Sequence, residues 1–315
     1  MLHLRLITPA EQTEDAVRLI KGTVGTTHLC VLSGAARDPV GDVVLCDVAR
    51  EAADDLLSGL QRLGLDTTGS IAVENVDLSL SERADRAEEE APGEGADAVL
   101  WEHLTEATHE ESTLSVTYLS FLTLATMIAA CGVVLDNAVL IVGAMAVGPE
   151  FGPLAGVSTA TVQRRPRLAM RSLIALLVGF AVAMALTVAF SLFMDAVGLF
   201  TEEQLKGERP QTGFVYAPDW FSFVVAVLAG AAGTLSLTSA KSGALVGVAI
   251  SVTTVPAAAN AAVALSYGDT VQTWGSTEQL LLNLLGITLA GMLTLLAQKQ
   301  LWRKQHARLR RRTAA

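Results

Sequence analysis

Apolar and polar positions divide this chain into two regimes. From residue 113 onward, six long apolar stretches follow one another at 116–135, 139–162, 172–194, 220–238, 243–265 and 279–298. Each is near or above the ~20 residues a helix needs to cross the hydrocarbon of a bilayer. They predict a six-span transmembrane domain over 113–298, followed by a basic tail at 299–315. Before residue 80 the apolar runs are short and their period changes. Residues 2–7 (LHLRLI) alternate as a strand does, and 11–22 place Ala16, Val17, Leu19 and Ile20 at helical spacing. Segments 27–33, 42–48 and 70–76 read as strands, and 50–63 reads as a helix through Ala53, Leu56, Leu57, Leu60 and Leu63. The order β-α-β-β-α-β predicts a ferredoxin-like sandwich over 1–79, so the whole chain is α+β.

Between the regimes, residues 80–97 (LSERADRAEEEAPGEGAD) are charged and punctuated by Gly and Pro, which predicts a flexible acidic linker. Residues 98–112 set Leu100, Trp101, Leu104 and Thr108 along one side of a helix. That face suits either a membrane interface or the protein's own surface.

Charge follows the same division. Residues 1–112 hold 23 acidic and 8 basic side chains, whereas 113–315 hold 9 and 14. The acidic half argues against nucleic-acid binding, which needs clustered Lys and Arg. Cys30, Cys46 and Cys131 form no disulfide framework. The opening MLHLRLITPAEQ has no apolar leader core, so the first half is expected in the cytoplasm. Arg164, Arg165 and Arg167 follow the second span, Lys241 follows the fourth, and the basic tail follows the sixth. The opposite connections, 136–138, 195–219 and 266–278, hold only Lys206 and Arg209. By the positive-inside rule both termini are cytoplasmic, in an inner (plasma) membrane crossed six times.

Two of the six stretches are interrupted by glycine and proline at matching places. The second reads VLIVGAMAVGPEFGPLAGVSTATV and the fifth reads GALVGVAISVTTVPAAANAAVAL. Each is the middle member of a set of three. Three spans per half means that the halves run in opposite directions, as two inverted three-helix repeats. Paired broken helices in two halves point to a solute site, and irregular backbone at membrane depth is tolerated only against protein or a wet cavity.

These motifs resemble those of the uncharacterised hydrophobic-domain membrane proteins grouped as domain of unknown function 389. The resemblance is carried by Gly143-Ala144-Met145 leading to Pro149-Glu150-Phe151-Gly152-Pro153, and by the basic turn Arg164 to Arg167. It continues through Gly230-Ala231-Ala232-Gly233, then Ser242-Gly243-Ala244-Leu245-Val246-Gly247-Val248-Ala249-Ile250, then Val255-Pro256 and Asn283-Leu284-Leu285-Gly286-Ile287. It covers residues 115–298 and implies a membrane location without assigning an activity. The chain departs from the family pattern at Glu150, usually apolar there, and at Ala257, often a second Pro.

The candidate solute or ion path comprises Pro149, Glu150, Gly152, Pro153, Thr253, Thr254, Pro256, Asn260 and Asn283. An acid within an apolar span is a functional hypothesis by default. Glu150 has three readings: a pair with a base such as Lys241 or Arg171, a carrier of a proton or cation, or a helix end nearer the surface. Thr253 and Thr254 suit a helix end freed by Pro256, while Asn260 and Asn283 read first as hydrogen bonds between helices. Gly148, Gly152 and Gly156 form a smooth stripe, and Gly143, Gly243 and Gly247 are further packing candidates. None of the five histidines lies in a span, so no enzymatic activity, metal or cofactor is expected. The function expected is a channel or secondary transporter for a small solute or ion, with a cytoplasmic regulatory or assembly domain and a homo-oligomeric state. The rival is a membrane-anchored sensor whose soluble domain binds a ligand.

Overall fold

The computed structural model describes residues 1–76, 78–91, 93, 98–217, 220–239 and 253–313, with side chains up to residue 302. Two compact units make up the chain. The first is Met1–Glu102 with Thr238–Ala240 and Lys299–Ala315; the second is His103–Leu237 with Lys241–Gln298.

The first unit holds a four-stranded antiparallel sheet. In chain order it runs β1 (Leu2–Thr8), α1 (Thr13–Gly22), β2 (Thr26–Arg37), β3 (Val40–Val48), α2 (Arg50–Arg62), the single turn α3 (Leu65–Thr68) and β4 (Ser70–Asn75). The strands lie in the order β2-β3-β1-β4. Leu4 pairs with Cys46 on one side and Val73 on the other. Alternation sets the layers: Leu2, Leu4 and Leu6 with Val44, Cys46 and Val48 turn to one face, where Ala16 and Ile20 of α1 and Ala53, Leu56 and Leu60 of α2 cover them. Gly41 is needed where β3 begins, because a Cβ there would strike the Thr8 carbonyl.

The acidic stretch behaves differently from its composition. Instead of a flexible linker throughout 80–97, Glu82–Glu90 forms α4. The Ser81 side chain accepts from the Ala84 N–H at 3.4 Å, a standard N-cap. Ala84 and Ala87, three apart, are buried, and α4 packs on β2 and β3. Two alanines make a face too narrow to register against so much charge. Helix α5 follows at Trp101–Glu111, inside the expected 98–112.

The second unit is built from apolar helices: α6 (Val116–Val134), α7 (Ala138–Val147), α8 (Phe151–Val162), α9 (Pro166–Ala196), the short α10 (Glu202–Lys206), α11 (Trp220–Thr238), α12 (Thr254–Ser266) and α13 (Thr270–Thr313). Helices α6, α9, α11 and α13, the last as far as Trp302, are long and apolar enough to cross a membrane. Helices α7 and α8 pass the same test together and meet at a bend of 52°, so the described residues hold four candidate spans, or five with this broken one. The fifth apolar stretch is described only from Thr253; Lys241, Gly243 and Gly247 lie outside the described residues.

Local chemistry sets the turns. After α6, Asp136 adopts a left-handed φ of 45°, and the Asn137 side chain accepts from the Val139 and Leu140 N–H groups to start α7. After α8, Arg164 takes a φ of 58°, and Pro166 opens α9 where its missing N–H costs nothing. Helix α12 is enclosed, every residue from Thr254 to Ala264 being buried. Ala257, Ala258, Ala259, Ala264 and Val263 share one core with Leu122, Ala125 and Ala129 of α6 and Phe180 and Ala183 of α9.

Candidate functional site

The break between α7 and α8 follows from two prolines. Pro149 has no N–H to continue the helix, so α7 stops at Val147. Pro153 is the third residue of α8, within the first turn, where backbone N–H groups have no intrahelical partner. Glu150 stands between them and is only 5% exposed. Its Oε1 accepts from the Thr254 hydroxyl at 2.7 Å. Its Oε2 is buried and has no hydrogen-bond partner among the described residues. A Cβ on Gly148 would collide with that oxygen and reach Val255 Cγ2 at 2.9 Å. Gly148 therefore leaves the space into which the carboxylate folds back.

Helix α12 begins the same way. Thr253 precedes its first turn, its carbonyl accepting from the Ala257 N–H at 3.3 Å, and Pro256 is its third residue, as Pro153 is of α8. Two adjacent threonines thus carry the site across. Thr254 holds Glu150, while Thr253 Oγ1 accepts from Asn283 Nδ2 at 2.7 Å. Gln279 Nε2 reaches both Thr253 Oγ1 and Asn283 Oδ1 at 3.5 Å, and its Oε1 is buried without a partner among the described residues.

Asn283 and Gln279 belong to a polar stripe on α13 that continues through Ser276 to Gln272, at helical spacings of four, three and four. At its far end stands Arg209, 6% exposed. Arg209 donates to Asn260 Oδ1 at 2.8 Å and Gln272 Oε1 at 2.5 Å, and its guanidinium lies 4.8 Å from the Tyr216 ring centroid. Asn260 Nδ2 donates on to Ser276 at 2.7 Å. Burial lowers the Arg209 pKa from the usual arginine range, and an arginine still stays charged.

The structure therefore joins Glu150, Thr253, Thr254, Pro149, Pro256 and Asn283 at one place and sets Asn260 apart, with Arg209. The candidate base Arg171 is engaged elsewhere, donating to His109 Nε2 and Thr113 Oγ1, each at 2.6 Å. No ion pair to Glu150 exists among the described residues. Gly152 lies against the Glu111 side chain and Gly156 against Ser112 and Ser172, which bond each other at 2.8 Å. Gly143 packs against no helix among the described residues: it is exposed, and a Cβ there would meet none of them within 4 Å. Arg164, Arg165 and Arg167 are exposed at the α8–α9 turn.

Sequence reasoning missed Gln279, Arg209 and Tyr118. The Tyr118 hydroxyl is buried without a partner among the described residues, within electrostatic range of Glu150. The α13 stripe was visible as spacing. The burial of a lone arginine in a polar connection was not.

Residues 145–289 match the model of the family described as Domain of unknown function (DUF389), so the resemblance drawn from the Pro149–Pro153 and Asn283–Ile287 motifs holds over that stretch. An uncharacterized protein of Methanocaldococcus jannaschii is 24% identical over 225 residues, covering 70% of this chain and 68% of that protein. No solved structure matches.

Proposed function

We propose that this chain is a multipass membrane channel or secondary transporter for a small solute or ion, with its path beside the two broken helices. One observation carries the reading. A carboxylate without a basic partner among the described residues lies buried at the α7–α8 break, bonded to the start of α12. Along α13, Gln272 to Asn283 is eleven residues, or ~16 Å of helix, about half of a ~30 Å hydrocarbon layer. With Arg209 toward one surface, Glu150 then lies near the midplane, where solute sites of repeat-built transporters are found.

The helix schedule supports two inverted three-helix repeats. Helices of the second set start 103 or 104 residues after their counterparts: Val116 and Trp220, Phe151 and Thr254, Pro166 and Thr270. Three crossings per set reverse the second half, and the exposed Arg164, Arg165 and Arg167 favour cytoplasmic termini at the plasma membrane. In the first unit, the β2-β3-β1-β4 order with helices after β1 and β3 is that of a ferredoxin-like sandwich. It serves here as a cytoplasmic assembly or regulatory module of a homo-oligomer.

The test is flux. Purified chain in lipid vesicles is expected to pass an ion or small solute down an imposed gradient, and to keep doing so without residues 1–112. Glu150→Gln is expected to change the ion or pH dependence. Absence of flux under every imposed ion and pH gradient overturns the proposal and favours the sensor.

A further inference from the structure

We infer that Glu150 and Gln279 bind a small monovalent metal cation at the head of α12. The inference rests on the reading of this place as the solute path and names what occupies it. Both residues are buried, Glu150 at 5% and Gln279 at 0% exposure, and each has one orphaned oxygen, Oε2 and Oε1. Both orphans are acceptors. A carboxylate oxygen and an amide oxygen cannot satisfy each other, so what completes them must bring positive charge or protons. Buried polar atoms without partners are rare, and two acceptors beside one helix start point to a shared occupant.

Three occupants are possible and the geometry separates them. Water would donate to both oxygens, yet it leaves the carboxylate charge unbalanced, and Arg171 is committed to His109 and Thr113. A proton on Glu150 would let its O–H donate to the Gln279 oxygen. It is opposed by position, because Glu150 sits at the start of α8 and bonds the first residue of α12, and both helix starts favour an ionised carboxylate. A cation satisfies both oxygens and the charge. The Oε2 orphan lies against Gly148, the residue that ends α7, where Pro149 has no N–H for the Met145 carbonyl. A helix end rich in free carbonyls is a cation-favouring surround. One carboxylate among neutral oxygens matches a single positive charge, while a divalent ion would be left with charge in excess. The Tyr118 hydroxyl, also orphaned, is a further oxygen within electrostatic range of Glu150.

The test is binding without any gradient. The full chain in detergent is unfolded by heat in NaCl or in choline chloride at equal ionic strength. Sodium is expected to raise the unfolding temperature saturably, choline is not, and Glu150→Gln is expected to abolish the difference. Gln279→Met, which keeps shape and removes the oxygen, is expected to weaken sodium at least tenfold. Equal unfolding in the two salts, or a sodium effect unchanged in Gln279→Met, overturns the site. If Glu150→Gln fails to fold, Gln279→Met alone decides. Sodium binding without flux would leave this site standing and remove the transport reading; flux without sodium binding would do the reverse.

Discussion

Gly230→Ala is the sharpest test of how the second unit is packed. Ala226 and Gly230 on α11 face Gly286 and Ala290 on α13, two small-xxx-small pairs that interlock. A Cβ on Gly230 would stand 2.6 Å from the Ile287 carbonyl oxygen, 2.7 Å from Ile287 Cα and 3.0 Å from Ala290 Cβ. Carbon atoms prefer separations of about 3.5–4.0 Å, so the helices must part by roughly 1 Å. Two of the three obstacles are backbone, and no rotamer can yield. Overpacking of this kind costs about 1–3 kcal/mol, and the better helix propensity of alanine returns roughly 1 kcal/mol. With two backbone obstacles the cost falls at the upper end, and a net loss of up to about 2 kcal/mol follows, with a lower unfolding temperature in mild detergent. Gly143→Ala is the control, since none of the described residues lies within 4 Å of its added methyl. It is expected to be neutral or stabilising by up to about 1 kcal/mol. A Gly230→Ala protein as stable as the parent, or a Gly143→Ala protein that loses more, would refute the helix contact as drawn.

Three further outcomes are expected. Arg209→Met strands the Asn260 and Gln272 oxygens and should cost roughly 1–3 kcal/mol; an unchanged melting curve would mean that the guanidinium is not buried among them. Burial pushes the Asp54 carboxyl up to about 6, against the Trp101 N–H bonded to it at 3.3 Å. Because the folded value is raised, the stability it contributes is complete below pH ~4 and is lost as pH rises through about 6. A two-unit shift is worth at most ~3 kcal/mol, less for a partly exposed group, so Asp54→Asn should melt higher than the parent at pH 7 and alike at pH 4. Equal melting at pH 7 counts against it. A cysteine at Gly207 should react with an impermeant reagent from outside and one at Ala307 should not; the reverse pattern would invert the topology.

Much of the fold was legible because burial writes a period into sequence. Leu2, Leu4 and Leu6 alternate, and the four-stranded sheet followed from them. The broken span followed from Pro149 and Pro153. What escaped had no period or only half of one. Helix α4 shows two buried alanines against seven charged residues. The α11–α13 contact was written in both helices, but which pair of small-residue motifs would meet is a matter of tertiary packing. Glu150 was conspicuous as an acid among apolar residues. Its companion Gln279 became visible only when α13 set it beside Thr253, thirty positions from Asn283 along the chain and in contact with it in space.

The enclosure of α12 bears on how the chain is made. From Thr254 to Ala264 it leaves no side exposed to lipid and carries Thr254 and Asn260 inward. Its receptacle, α6 and α9, emerges from the ribosome well before it. Synthesis therefore builds the socket first and delivers the plug late, and a rearranged chain that presents α12 before α6 and α9 should stall at insertion and be degraded.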